Sequence, residues 1–286
     1  GNISTEWLPL YMHLKDTAEI TKKLTEEFLS ESFYKSCDLS RDEFKKVTTF
    51  LAFVHDIGKA TIGFQYKIGK HLPDRIEILK HNGVYIPSYM NDESVQKTPH
   101  ALAGEAILLY FNCPDDIAAV VGAHHGIPAE GGTLRNNDLN DKPQEIVGYE
   151  NYYGDNNREL LEKIWWSFIK EALSYSGFES LEELPELNSA AQMILCGLII
   201  AADWIASNTE YFPLIDIENE GENIRYNKRI ESAWENIDFP EMWKSIREEY
   251  SDEDFRSLFG FNPSNTQREI LDIVEKSGNA GLYILE

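Results

Sequence analysis

The chain has 286 residues, 42% of them hydrophobic, and sets 26 Lys and Arg against 49 Asp and Glu for a formal charge of −23. That length suits one substantial core with a small appendage, and the charge excludes a broad basic surface that grips nucleic acid through many phosphates. A locally positive site built on bound divalent cations stays open, because a sum over side chains omits them.

Taken in order, nearly every long segment reads as helix. Asp16 to Leu29 places Ala18, Ile20, Leu24 and Phe28 on one face with charges between them, and Asp42 to Val54 repeats the pattern with Phe44, Val47, Phe50, Leu51 and Val54. Ile68 to Lys97 mixes Gly, Pro and charge and reads as a surface loop. Thr98-Pro99 supplies an N-cap and an N1 proline for a helix over Ala101 to Phe111. Asp115-Asp116 open a helix over Ile117 to His125 that Gly126 stops. Gly126 to Asn157, rich in Gly and Asn, is expected to be a long loop bordering a cleft. Arg158 to Tyr175 and Ser189 to Ser207 are two more long helices, and Arg225 to Glu249 gives one or two. From Phe261 the texture changes to a turn, a helix and an apolar run, Leu282 to Leu285, that suits a buried strand. A lone terminal strand suggests truncation inside a larger protein, and Gly1 in place of methionine reads as a tag remnant.

Cys37, Cys113 and Cys196 are scattered and lack CxxC spacing, which disfavours a disulfide framework or zinc knuckle and suits a reducing cytoplasm. No basic start precedes an apolar run, so no secretory leader is expected. The most apolar stretch, Met193 to Ala206, reads as too short to span a bilayer and carries Asp203, so no membrane partner is expected.

Chemistry concentrates in a few words. His55-Asp56 closes an apolar helix and is followed by Gly58 and Lys59. An imidazole beside a carboxylate offers one nitrogen and two oxygens to a divalent cation; alone, the pair reads first as a polar helix end. His124-His125 are neighbours that can face one ion only where a helix has frayed or ended, which is where they stand; a helix end favouring imidazoles through its dipole is the plainer account. Asp203 lies among Leu198, Ile199, Ile200, Ala201 and Ala202, and a buried carboxylate needs a cation, a hydrogen-bond network or a proton. Ser207 follows four residues later on the same helix face. His13 and His100 stand before or at the start of helices, while His71 and His81 fall in charged sequence and read as solvated.

In order, His13, His55-Asp56, His100, His124-His125 and Asp203 resemble the H…HD…H…HH…D pattern of HD-superfamily metal hydrolases. The words HDIGKATIGFQYK, TPHALAGEAIL, VVGAHHG and AADWIASN are more specific and resemble the HD nuclease domain of the CRISPR-associated helicase-nuclease of type I systems, over most of residues 1 to 250. FNPSNTQREI and GLYILE resemble the opening of that family's superfamily 2 helicase domain, so 251–286 is expected to be a linker and the truncated start of it; no GxxxxGK[ST] is present, and ATP would serve only the missing part.

The resemblance implies a mostly helical domain holding two divalent metals. His13, His55, Asp56 and Asp203 would hold one ion, and Asp56, His100, His124 and His125 the second, with Asp56 bridging. Lys59 would neutralise charge developing on a phosphate, Ser207 would orient Asp203 or touch substrate, and Gln65 would serve structure or substrate contact. Five imidazoles favour Mn²⁺, Fe²⁺, Co²⁺ or Ni²⁺ over Mg²⁺ or Ca²⁺. The implied activity is hydrolysis of the single-stranded DNA displaced when a guide RNA pairs with invading DNA. The implied partners are the type I surveillance complex, the helicase domain of the same polypeptide and phage-encoded inhibitors. An HD-type nucleotide phosphohydrolase, or a non-catalytic interaction module, is the alternative.

Overall fold

The Arg41–Val54 helix is the axis of the fold. Ser40 and Glu43 form a reciprocal capping box that starts it, and every residue from Val47 to Val54 is buried. The structure, a computed structural model, describes residues 6–128, 131–216, 226–239 and 251–277. Against this axis pack the helices Leu10–Phe28, Arg158–Ser176 and Ser189–Ala206. The first begins six residues earlier than its apolar pattern suggests, so His13 lies inside it, not before it. Its buried threonines satisfy themselves: Thr17, Thr21 and Thr25 donate to the carbonyls of His13, Thr17 and Thr21. Arg229, on the helix Tyr226–Asn236, donates to the fully buried Asp16 at 3.1 Å.

After Val54 the chain tightens into a 3-10 turn, Ile57–Ala60. This turn lies against the helix His100–Tyr110 so closely that a Cβ on Gly58 would meet the His100 carbonyl oxygen at 2.0 Å and the Gly104 nitrogen at 2.7 Å. Only glycine permits that approach. Trp165, fully buried, donates its indole N–H to the Ala60 carbonyl at 2.8 Å and holds the far side of the turn. A two-stranded antiparallel pair joins Glu6–Trp7 to Ile215–Asp216, with Trp7 opposite Ile215.

Both expected loops carry helices. Ile68 to Lys97 contains the end of Ile62–His71, then Pro73–His81 and Asp92–Gln96. Pro73, which reads as a breaker, sits at the first helical positions, where its missing N–H costs nothing. Gly126 to Asn157 holds Gly131–Arg135 and Tyr149–Tyr153, and its three buried asparagines are structural. Asn151 donates to Thr98 Oγ1 and the Ser94 carbonyl, Asn157 donates to the Tyr85 and Tyr153 carbonyls, and Asn137 accepts from Tyr152. Pro99 occupies the N-cap itself, so the next helix starts at His100, one residue earlier than read. The helix Asp115–Gly122 stops three residues short of His125, with Ala123 as its cap.

The helix bearing Asp203 runs Ser189–Ala206; its 18 residues are by length and composition enough to cross a membrane, correcting the shorter reading. It packs Ala191, Leu195, Ile199, Ala202 and Ala206 into the core and leaves Met193 and Trp204 exposed.

The chain divides into two compact units, Gly1–Ile237 and Asp238–Glu286. In the second, a Ser251–Asp254 capping box opens the helix Asp252–Phe259, and Gly260 ends it in a left-handed turn. The helix Asn265–Ser277 follows, with Arg268 paired to Asp252. The strand expected at Leu282 to Leu285 lies outside the described residues, as does most of the second half of Arg225 to Glu249.

Candidate metal centre

Five segments far apart in sequence bring their polar ends to one place. His13 comes from the first turn of Leu10–Phe28, and His55 and Asp56 from the end of the buried axis helix. His100 is the first residue of its helix, His124 and His125 follow the last turn of Asp115–Gly122, and Asp203 sits near the end of Ser189–Ala206. His55, Asp56, His124 and His13 are buried, while Asp203 and His100 are half-buried and His125 is exposed. His71 and His81 are exposed elsewhere, as expected.

The donors form two groups, each with its ligand atoms within 4.8 Å of one another: His13, His55, Asp56 and Asp203, and His100, His124 and His125. Asp56 faces both. Its Oδ2 lies 3.0 Å from His13 Nε2 and 3.4 Å from His55 Nε2. Its Oδ1 lies 3.2 Å from His100 Nε2 and 3.5 Å from His124 Nε2. Asp203 Oδ1 closes the first group at 3.2 Å from His13 and 3.5 Å from His55. His100 and His125 bring their Nε2 atoms within 2.8 Å of each other.

Two imidazoles are oriented by backbone. His55 Nδ1 donates to the Ala52 carbonyl at 2.7 Å, and His124 Nδ1 to the Val121 carbonyl at 2.6 Å. With Nδ1 protonated, each Nε2 carries its lone pair into the site. His55 Nε2, His124 Nε2 and Asp56 Oδ1 are buried with no hydrogen-bond partner, a costly arrangement unless a cation satisfies them. Donors roughly 2.1 Å from one ion stand about 3.0 Å apart at a right angle and about 3.4 Å apart at the tetrahedral angle. Four of the six carboxylate–imidazole distances above fall in that range and the other two, at 3.5 Å, lie just beyond it; the residues fit divalent ions.

The electrostatics agree. Burial pushes the His55 imidazole down, but Asp56 and Asp203 beside it outweigh that and hold it up at about 9. Burial likewise opposes ionisation of Asp56, yet the imidazoles around it, His55 foremost, hold its carboxyl well below the usual carboxylate range. Asp203 is held low by His13 and His55 against the same burial. Burial, His124 and His100 push His125 down. Protons on imidazole here stand where cations would.

A family model for the Cas3 HD domain matches residues 1–212. This chain belongs to the Cas3 HD-domain family. It is 33% identical, over 302 aligned residues, to the CRISPR-associated nuclease/helicase Cas3 of Streptococcus thermophilus; the match takes in 98% of this chain and 31% of that protein. The chain thus spans about a third of the length of that curated relative. Among solved structures it resembles the Thermus thermophilus Cas3 HD domain crystallised in the presence of Ni²⁺, with a TM-score of 0.52, 19% identity, and coverage of 84% of this chain and 89% of that one. A CRISPR RNA-guided surveillance complex in a pre-nicking state gives a TM-score of 0.53 at 20% identity, covering 80% of this chain and 26% of that one. T. fusca Cas3 gives 0.52 at 20%, covering 80% and 24%. These likenesses establish the helical HD fold.

Around the donors of this HD domain stand the supporting residues. Lys59 pairs with Asp56 Oδ2 and is the nearest cation to the cluster's carboxylates among the ion pairs of the described residues. Ser207, which caps the helix of Asp203, donates to Asp203 Oδ1 at 3.0 Å. Gln65 donates to the Lys59 carbonyl at 2.8 Å and fixes the turn that carries Lys59. His13, Lys59, Gln65 and Ser207 line a cavity of about 410 Å³. None of the described residues of Gly126 to Asn157 lines this cavity. Sequence reading missed the Ala52 and Val121 carbonyls, which being backbone leave no residue signature, and Phe64, whose ring meets His100 edge-on at 5.4 Å. The only hint of Phe64 was its place in HDIGKATIGFQ.

Proposed function

We propose that this domain is a two-metal, HD-type nuclease that hydrolyses phosphodiesters of single-stranded DNA. The observation that carries the reading is Asp56, whose two oxygens face separate groups of histidines with orphaned nitrogens between. His13, His55, Asp56 and Asp203 would hold one ion, and Asp56, His100, His124 and His125 the other. Two divalent ions, when bound, supply an acidified water and neutralise charge on the phosphate. Five imidazoles select Mn²⁺, Fe²⁺, Co²⁺ or Ni²⁺ over Mg²⁺ and Ca²⁺.

The chain's own residues do the positioning. The Ala52 and Val121 carbonyls lock the tautomers of His55 and His124. Ser207 holds Asp203 in place. Lys59 presents an ammonium beside Asp56 and can shift from that carboxylate to a phosphoryl oxygen as negative charge grows there. None of the described residues lining the adjoining cavity is acidic, in a chain that carries 49 acids, so the approach to the site is spared the repulsion that the net charge would otherwise impose on DNA.

We place the nuclease domain at 1–250 and the start of a helicase domain, to which ATP binding belongs, at 251–286. In the whole protein the domain would act in the cytoplasm with a type I CRISPR surveillance complex on invading DNA, and phage-encoded inhibitors would be natural antagonists. The test is Asp56→Ala in the metal-loaded protein against circular single-stranded DNA, with dNTPs as control substrates. The reading expects cleavage of DNA, none of dNTPs, and loss of both DNA cleavage and bound metal in a folded variant. Undiminished cleavage by the variant would defeat it.

A further inference from the structure

The cavity beside the donor cluster contains groups that metal binding leaves unused. At about 410 Å³ it lies within the ~300–1,000 Å³ of small-molecule pockets. Arg75 and Trp7 both line it, and the Arg75 guanidinium lies 3.1 Å from the centroid of the Trp7 ring. Burial lowers the pKa of this arginine, and no acid offsets that by raising it. It makes no ion pair among the described residues, although the chain is strongly acidic; Glu6 and Asp74 line not this cavity but a smaller neighbouring one that shares Trp7 and Arg75 with it. Phe64 links this cavity to the donor cluster, since its ring meets His100 at 5.4 Å and carries Lys59 Nζ at 5.8 Å.

A ligand that fits must offer a flat π face to Trp7, Arg75 and Phe64 and an anionic group to Lys59. A nucleotide does both. Stacking on aromatic rings and on a guanidinium plane reads the face that every base has, so it is tolerant of sequence. It also demands an unstacked base, because in a duplex those faces are already covered by neighbours. We infer that this cavity is a nucleobase pocket: a nucleotide adjoining the scissile phosphate stacks its base against the Trp7–Arg75 pair and Phe64, and so restricts the site to single strands. The inference rests on the nuclease reading above and adds what selects the substrate.

The test compares a fluorescent single-stranded DNA hexamer with a hexamer of the same length lacking its bases, by anisotropy on the purified protein with metal withheld. The wild type is expected to bind the base-bearing strand about tenfold tighter, the scale of stacking one base on aromatic groups. Trp7→Ala and Arg75→Gln should each bring the base-bearing strand down to the abasic affinity, while Trp7→Phe, which keeps a ring, retains most of the preference. Should Trp7→Ala lose its fold by circular dichroism, Arg75→Gln decides. Equal affinities in the wild type, or a preference that survives both substitutions, would overturn the pocket. Cleavage of the two strands by the metal-loaded wild type separates the failures. Cleavage with no base preference sinks the pocket and leaves the nuclease, whereas base-dependent binding without cleavage sinks the nuclease and leaves the pocket.

Discussion

Replacing Gly58 by alanine is expected to loosen the metal centre without removing a ligand. The added methyl would stand 2.0 Å from the His100 carbonyl oxygen, where ordinary contact begins at 3.4 Å, so about 1.4 Å must open between the Ile57–Ala60 turn and the start of the His100 helix. The three obstructing atoms, the His100 carbonyl carbon and oxygen and the Gly104 nitrogen, are backbone and cannot rotate aside. Overpacking of this kind costs about 3 kcal/mol, the upper end of its usual range, which at about 2–4 °C per kcal/mol lowers Tm by roughly 6–12 °C. The movement separates His100 from Asp56 Oδ1, now 3.2 Å apart, and a shift of about 1 Å at a reacting centre costs on the order of a hundredfold in rate. Thermal unfolding, a Mn²⁺ titration and the cleavage rate read these effects: the melt should fall, one of two binding events should weaken far more than the other, and the rate should drop. A variant that melts within about 2 °C of the parent and binds both ions equally well would refute the claim that this contact sets the site's geometry.

Glu105 is buried, its Oε2 has no partner, and burial, with Asp115 nearby, pushes its carboxyl up to about 7. A raised carboxyl stabilises the fold below its unfolded value of 4.5 and loses that contribution as pH rises to about 7. Glu105→Gln should therefore raise Tm at pH 8 and leave it nearly unchanged at pH 5; the opposite order contradicts the assignment. Asp16→Ala leaves Arg229 its bond to the Pro213 carbonyl but removes its carboxylate partner, and breaking a buried pair costs about 3–5 kcal/mol; chemical denaturation giving a loss below about 1 kcal/mol, the value of an exposed pair, would show that the pair is solvated.

Much of the site was legible because its chemistry stands in short contiguous words. His55-Asp56 and His124-His125 end apolar helices, and Asp203 interrupts an apolar run, so each advertises a polar group with a reason to be buried. The folding of intervening segments was less legible. Pro73 and the asparagines at 137, 151 and 157 carry the composition of loops, yet one opens a helix and the others bond buried backbone and side chains. Their partners lie up to 72 residues away, beyond any local pattern. Trp7 and Arg75 meet only through the fold, and neither residue has a local signature. The glycine at 122 makes room for Glu105, whose carboxylate would meet a Cβ there at 1.9 Å; that too is tertiary.

Anomalous scattering from crystals grown with Mn²⁺ tests the central claim most directly. The account predicts two peaks flanking Asp56, one on each carboxylate oxygen, with His13, His55 and Asp203 around the first and His100, His124 and His125 around the second. A single peak bound by both oxygens of Asp56, or density that leaves the His55 and His124 nitrogens without an ion, would contradict it.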